Sequence, residues 1–380
     1  MQTVLQELEG IEDTQVRYVL TRACASFGPM VHVLRGVDPR LVAGPAAKFD
    51  ALIRTALANM LRGHHIAQRA WDQARLGTHN GGLGLRGSAD HAEAAFLAAC
   101  HQCADLDGWD LDGDLSYIAA KSAFEARVPE IFRPRGIGMK AQKQLSSMIQ
   151  NATLQRLISE APSIVDRARL RSTAGGNTAH KDAGAFWNAV PSQVLRLDIP
   201  PALFVTTAKW WLGLEVIKEN HFCPWCGDPS DELGYHCLTC RFAGRLGVRH
   251  NAINNVLFFD ARAAQMCPTM EDIIHPGTRL RSDLRTKILG VVKDGDVAVT
   301  HPLRQKYPGR PAAKASRQLT AMRWRKKFHC TQKRVRLPIP CMSRWFSTAL
   351  AIGVRREGHS SMRSRWPKRR WHPATRSHCT

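Results

Sequence analysis

The sequence lacks two features that would assign it to common classes of protein, a membrane-spanning apolar run and a secretory signal. No run of about 18 uninterrupted apolar residues occurs, so no partner membrane is expected. The N-terminal residues 1–9 are acidic and lack the basic region and apolar core of a secretory signal. Without such a signal, the 11 cysteines argue against a disulfide framework and favour an intracellular protein.

Acidic residues are almost missing from the C-terminal part. Between Val297 and Thr380 there are 21 Lys and Arg residues and a single acid, Glu357, whereas the preceding 296 residues carry 33 basic and 31 acidic side chains. A run of like charge is usually a solvated interaction segment, and nucleic acid is the commonest partner of a basic one. We therefore expect DNA and/or RNA as partners and predict that residues 310–380 are a disordered basic tail.

The first half of the chain shows helical periodicity. Apolar residues recur at helical spacing in two stretches within residues 11–70, with breaks predicted at Gly28-Pro29 and Val37-Asp38-Pro39. Residues 120–170 are also predicted to be helical. Gly81-Gly-Leu-Gly-Leu-Arg86 fits either a packing turn or, since glycine allows close backbone approach, a phosphate-binding loop. Ser88, just after it, is predicted to cap the next helix. The glycine-rich residues 172–178 favour a linker.

Four cysteines lie within eighteen residues, from Cys223 to Cys240. Cys223-Pro-Trp-Cys226 supplies two thiolates from one turn, which is half of a tetrahedral zinc site. The other half is either His236 with Cys240 or Cys237 with Cys240, because both spacings are compatible with zinc. Four protein ligands leave no open coordination position, so the predicted zinc is structural.

Downstream, Asp283 and Asp296 are separated by 12 residues. Residues 287–292 and 296–299 are predicted to be two strands joined by a turn at 293–295, with Asp296 at the start of the second strand. Two carboxylates held close together on strands can bind Mg²⁺, which activates water and neutralises phosphate. The spacing is therefore compatible with a metal-dependent nuclease.

The ordered series of these motifs resembles a known family. Cys-x2-Cys…His-x3-Cys, followed by Arg249-His250-Asn251 and the spaced aspartates, is similar to the C-terminal region of reverse-transcriptase proteins from site-specific non-LTR retrotransposons. In that family a zinc knuckle precedes a restriction-like endonuclease. The earlier run from Ala70 to Leu76, with the glycine-rich loop and Ala94-Ala-Phe-Leu-Ala98, resembles the family's helical thumb. No aspartate hairpin of a polymerase is present, so no reverse transcriptase active site is expected.

The resemblance implies a role for each site residue. The structural Zn²⁺ ligands would be Cys223, Cys226, His236 and Cys240. The catalytic residues would be Asp283 and Asp296 as Mg²⁺ ligands, His250 to position substrate or water, and Lys306 as the lysine that stabilises the transition state, with Lys314 as its alternative. Two positions depart from the family pattern: Ser282 replaces a proline, and Ala298 stands where a lysine is usual.

Together these features predict an α+β protein. Its expected parts are a helical thumb-like region (1–171), a linker (172–185), a zinc-knuckle region (186–248), an incomplete restriction-endonuclease-like α/β domain (249–309) and the basic tail (310–380). Three functional hypotheses follow: a retrotransposon-derived nucleic-acid-binding protein with a degenerate Mg²⁺-dependent DNA endonuclease, a non-catalytic zinc protein that binds nucleic acid, and an inert relic. The resemblance favours the nucleus as the location, and the oligomeric state is not indicated.

Overall fold

The computed structural model describes residues 2–107, 110–128, 141–174, 183–195, 197–217, 221–240, 245–274, 277, 279–288 and 291–297. These residues are mainly helical, with two small antiparallel sheets between Asp272 and Gly295. Of the predicted α+β fold, the mainly helical N-terminal region and the presence of some strand are confirmed. The predicted tail, 310–380, lies outside the described residues. No helix within the described ranges is both long and apolar enough to cross a membrane.

The described elements are mainly helices, followed by four short strands. The longer helices before the cysteine-rich segment are α1 (Gln2–Glu9), α2 (Thr14–Leu20), α3 (Phe27–Gly36), α4 (Pro39–Met60), α5 (Gln68–Arg75), α6 (Ser88–Asp107), α7 (Leu115–Arg127), α8 (Ala141–Ser159), α9 (Ile164–Thr173) and α10 (Pro201–Leu212). Three single turns, Thr21–Ala25, Thr78–Asn80 and Ala185–Asn188, lie between them. The last elements are α11 (Tyr235–Thr239), α12 (Arg245–Ala263), β1 (Asp272–Ile273), β2 (Arg281–Ser282), β3 (Leu284–Ile288) and β4 (Val291–Gly295).

Polar caps explain where several helices begin. Side chains of Asp13, Asp114 and Ser163 each accept a hydrogen bond from a backbone amide in the first turn of the helix that follows. This satisfies an amide that has no partner inside the helix. The Ser88 cap was predicted wrongly: Asp50 on α4 accepts the amide of Ser88 at 2.7 Å instead, and the Ser88 hydroxyl is buried without a partner among the described residues.

The largest hydrophobic core joins both sides of the predicted linker. It combines the N-terminal helices α1, α2, α4 and α5 with the segment from Ala183 to Leu214. Trp187 and Trp211 are each 2% exposed and pack edge to face, with ring centroids 5.9 Å apart. The segment that leads into the cysteine-rich motif is therefore anchored in the N-terminal helical core, which fixes where that motif is held.

A buried polar network crosses this core. Arg169 on α9 is 3% exposed and donates to the side-chain oxygen of Gln73 at 2.8 Å and to the backbone carbonyl of Trp211. Gln73 in turn donates to the carbonyls of Gly81 and Trp211, at 2.9 Å each. Buried polar groups stabilise a fold only when they are paired. The network therefore ties α5, α9 and α10 to the glycine-rich loop.

The glycine-rich loop is built as a packing turn. Gly81 and Gly84 have φ of +81° and +73°, a region that disfavours residues with a side chain. The amide of Leu83 donates to Ala74 O at 3.1 Å and that of Gly84 to Leu76 O at 2.8 Å, so the loop folds back on the end of α5. These contacts fit the packing-turn alternative, because the amides of Leu83 and Gly84 donate to carbonyl groups of the same chain.

Replacing Gly82 with alanine is expected to destabilise the protein by about 3 kcal/mol, because a Cβ there would lie 2.0 Å from the backbone oxygen of Leu76. The backbone must shift to admit the methyl group. Urea unfolding followed by circular dichroism measures the change. Gly44→Ala is the control: nothing lies within 4 Å of its added Cβ in α4, so its stability should stay equal or rise by up to about 1 kcal/mol. Equal stability of the two variants would contradict the close packing of this loop.

His91 on α6 makes stability depend on pH. It is 3% exposed, its Nδ1–H donates to the Gly87 carbonyl at 2.9 Å, and its Nε2 is buried without a partner among the described residues. Burial lowers the pKa of His91 from 6.5 to about 4. The unfolded chain therefore binds the proton more readily than the folded one between these values. The stability that neutral His91 contributes to the folded protein is fully present above pH 6.5 and is lost as the pH falls towards 4.

We expect the free energy of unfolding to drop by about 2 kcal/mol between pH 7 and pH 5 through this histidine. Urea unfolding at the two pH values measures the drop. His91→Gln should make it smaller, because glutamine carries no proton to exchange in this range. The exposed His65→Gln is the control and should retain the full drop. An unchanged pH dependence in His91→Gln would show that His91 is not the responsible group.

Candidate functional site

The first half of the cysteine-rich motif is a tight turn. The amide of Gly227 donates to the Cys223 carbonyl at 2.9 Å, and the amide of Cys223 donates to the Asp228 carbonyl at 2.7 Å. Gly227 has φ of +77°, which glycine adopts without strain. These bonds fold residues 223–228 so that the two thiols of the Cys-x2-Cys sequence approach the same point.

The second half is carried by α11. This helix begins after Gly234, whose φ is +73°, and the amide of Cys240 donates to the His236 carbonyl at 2.7 Å. Residues four apart on a helix lie on the same face. His236 and Cys240 are therefore presented together towards the turn of residues 223–228.

One ligand atom from each of Cys223, Cys226, His236 and Cys240 lies within 4.8 Å of the others. The Sγ atoms of Cys223 and Cys240 are 3.9 Å apart, and Cys226 Sγ is 3.1 Å from His236 Nε2. Zinc–sulfur bonds of about 2.3 Å in a tetrahedron require sulfurs about 3.8 Å apart, which these side chains approach. The cluster can therefore hold a metal ion, and Cys237, the alternative ligand, is not among its four residues.

The electrostatics of the cluster favour a thiolate at Cys223 and a protonated thiol at Cys226. At Cys226, the hydrogen bond from the Asp228 amide lowers the pKa, but burial and the contact with Cys223 outweigh it and raise the pKa to about 12. Burial raises the pKa of Cys223, but hydrogen bonds from the amides of Cys226 and Trp225, with further ones from the Cys226 and His236 side chains, outweigh it and lower the pKa to about 6. Thiolate is the form of cysteine that binds metal. The amides of the turn therefore prepare this sulfur for a cation.

The cysteine-rich motif is attached firmly to the helical core. Leu238 on α11 is 1% exposed and belongs to the same core cluster as the N-terminal helices. The rings of Tyr235 and Trp210 meet edge to face, with centroids 6.3 Å apart. The amides of Val216 and Ile217 both donate to the Glu232 carbonyl, at 2.8 and 3.0 Å. The cysteine-rich motif therefore packs directly on the hydrophobic core and contributes Leu238 to it.

A second arrangement lies on the following helix and hairpin. His250 on α12 places Nε2 3.1 Å from Asp283 Oδ2, and the amide of Val297 donates to the same oxygen at 2.6 Å. The three residues come from separate parts of the sequence. His250 and Asp283, both predicted as catalytic, are therefore in direct contact. Val297, the residue after Asp296, binds the same carboxylate.

The strands around this arrangement differ from the prediction. β3 pairs antiparallel with β4, from Leu284 opposite Gly295 to Ile288 opposite Val291. The predicted turn at 293–295 is wrong, since these residues are the end of β4, and Asp296 follows that strand instead of starting one. Ile288 pairs with Val291 at the other end of the two strands, and Arg285 binds Asp294 across them at 2.7 Å, which supports this register.

The two aspartates lie just beyond one end of this pairing. Leu284 opposite Gly295 is its last pair, Asp283 directly precedes β3 and Asp296 directly follows β4. Within the described part of the chain, however, His250, Asp283 and Asp296 do not form a three-ligand group like that of the cysteines. Lys306 and Lys314 lie outside the described residues.

Several residues that shape these arrangements were not identified from the sequence. Asp231 accepts the amides of Tyr235 and His236, and Arg285 bridges to Asp294 and Asp272. The sequence does contain a signal for Arg285, because residues 281–287 alternate between charged odd-numbered and uncharged even-numbered positions, as expected of a strand with one exposed face.

The chain matches no protein-family model and no curated protein sequence.

Proposed function

We propose that this chain is a zinc-containing nucleic-acid-binding protein related to the C-terminal region of non-LTR retrotransposon proteins. The observation that carries the proposal is the cluster of Cys223, Cys226, His236 and Cys240, whose ligand atoms lie within 4.8 Å of one another. Three sulfurs and one imidazole nitrogen are a donor set that zinc prefers. All four positions are filled by protein, so the ion would be structural.

The proposed nucleic-acid partner is inferred from the positive charge of the C-terminal segment. The segment from Val297 to Thr380 carries 21 basic residues and one acid, and four tryptophans are interspersed among them. Lys and Arg neutralise backbone phosphates and release counterions, and aromatic rings stack on unpaired bases. The zinc cluster would hold the segment that precedes α12 and the hairpin, from which this basic part of the chain continues.

Binding of DNA and RNA tests the proposal. We expect the logarithm of the association constant to fall linearly with the logarithm of salt concentration, steeply enough to indicate several phosphate contacts. Fluorescence anisotropy with labelled duplex and single-stranded oligonucleotides measures it. A variant without residues 310–380 should lose most of this salt-dependent affinity. Affinity that does not respond to salt, or no binding by the full chain, would refute the proposal.

A second candidate function is Mg²⁺-dependent cleavage of DNA. It is favoured by the contact of His250 with Asp283 and by the positions of Asp283 and Asp296, which directly flank the last residue pair of the two strands. A divalent ion between two carboxylates would activate a water molecule for attack on phosphorus, and His250 would orient substrate or that water. The proposed reaction is hydrolysis of a DNA phosphodiester.

Nicking of supercoiled plasmid in Mg²⁺ distinguishes the two candidates. Under the second, Asp283→Asn and Asp296→Asn each abolish nicking. Asp294→Asn is the matched control, because this carboxylate lies two residues before Asp296 but pairs with Arg285. Nicking that survives in both substituted aspartates, or that is absent from the wild-type protein, would leave nucleic-acid binding without cleavage as the function.

A further inference from the structure

The choice between His236 and Cys237 as zinc ligand depends on the rotation of one short helix. The two residues are neighbours on α11, so their side chains point about 100° apart around the helix axis. Both spacings to Cys240 suit zinc, and the preceding turn of residues 223–228 would accept either. Whatever fixes α11 about its axis therefore decides which residue reaches the metal.

Asp231 holds the start of this helix. Its Oδ1 accepts the amide of Tyr235 at 2.9 Å and its Oδ2 accepts the amide of His236 at 2.6 Å. One carboxylate thus binds two consecutive amides of the first turn, and the second belongs to the ligand residue itself. Two bonds to one rigid group restrain both the position and the rotation of the turn.

The opposite side of α11 is held by packing. Leu238 is 1% exposed in the main core, and Tyr235 lies against the ring of Trp210. These side chains limit rotation once the helix has formed. The Asp231 carboxylate instead holds the backbone of the first turn of α11, which carries both His236 and Cys237.

We propose that Asp231 is a positioning residue that selects His236 instead of Cys237 as the ligand from α11. The inference rests on the proposed zinc site and adds to it a determinant of the ligand set. Residues that orient metal ligands from outside the coordination sphere typically change metal affinity by about 10- to 100-fold when they are removed.

Cobalt(II) is the probe, since it occupies tetrahedral zinc sites and its thiolate-to-metal absorption grows with the number of cobalt–sulfur bonds. The wild-type protein should show the absorption of three thiolates, and Cys237→Ser should leave it unchanged. Asp231→Ala should raise the dissociation constant by about 10- to 100-fold and shift the absorption towards four thiolates. Adding Cys237→Ser to Asp231→Ala should return the absorption to three.

The exposed neighbour Glu232 supplies the control, because Glu232→Ala removes the same charge without removing the bonds to α11. It should bind cobalt as the wild-type protein does. Should Asp231→Ala fail to fold by circular dichroism, Asp231→Asn, which keeps one acceptor oxygen, should give the same changes to a smaller extent. No cobalt binding by the wild-type protein would refute the zinc site itself. Wild-type binding with three thiolates, together with weaker or equal binding but unchanged absorption in the Asp231 variants, would overturn the role of Asp231.

Discussion

Replacement of Cys223 by serine is expected to abolish zinc binding and to remove about 4 kcal/mol of stability when free zinc exceeds its dissociation constant 1,000-fold. Cys223 is 2% exposed, and the amides of its turn already favour its thiolate, so serine cannot supply an equivalent ligand. Because Leu238 of the same motif belongs to the main core, the loss should reach the helices. For a domain of this size it corresponds to a fall of roughly 10 °C in Tm.

Metal analysis of the purified protein and thermal unfolding with and without a chelator measure these effects. We expect about one zinc per chain for the wild-type protein and none for Cys223→Ser, as follows from a single structural site of four ligands. Cys237→Ser is the matched control, because this thiol lies beside the cluster but outside it. Equal zinc content in all three proteins would refute the cluster as the metal site. Loss of zinc in Cys237→Ser would identify a different ligand set.

Replacement of Arg169 by methionine is expected to lower the free energy of unfolding by about 3–5 kcal/mol. The guanidinium is 3% exposed and donates to Asp166 at 2.6 Å, to Gln73 at 2.8 Å and to the Trp211 carbonyl. Methionine fills a similar volume but leaves these acceptors with fewer donors inside the core. Unpaired buried polar groups are costly, so the loss should exceed that of a surface charge.

Urea unfolding followed by circular dichroism measures this change. Arg171→Met is the control, since Arg171 is exposed two residues further along the same helix and should change stability by less than about 0.5 kcal/mol. Similar losses for both variants would indicate a general effect of charge. A neutral Arg169→Met would show that the buried network contributes little net stability, as some buried ion pairs do.

Local patterns predicted the helices well but not every boundary. Val37-Asp38-Pro39 separates α3 from α4 as expected, because Asp38 caps and Pro39 opens the next helix. Gly28-Pro29 was expected to break a helix, but it lies in the first turn of α3, where a missing amide costs nothing. Asp50 as the cap of α6 was not predictable, since it is 38 residues away in sequence.

In the candidate site, too, local sequence predicted some features, while others depend on contacts that the local sequence does not show. The spacing of the cysteines predicted a metal cluster, and the structure brings four of the predicted ligands together. Spacing alone left His236 and Cys237 equivalent, because α11 is held by the bonds to Asp231 and by the packing of Leu238 and Trp210, none of which the spacing of the ligands shows. The Asp294-Gly295 sequence favours a turn by itself, yet the pairing of Arg285 with Asp294 places it in a strand.

The burial of Leu238 gives the free zinc concentration an effect far from the cysteines. Because this leucine is packed with α2, α4 and α10 in one cluster, opening the metal site should also open part of that cluster. Amide hydrogen exchange reports such cooperative opening residue by residue. Slowly exchanging amides of α2, more than 200 residues before the first cysteine of the site, should then exchange faster as zinc is withdrawn. The rate of amide exchange in α2 would therefore report whether the metal site is occupied.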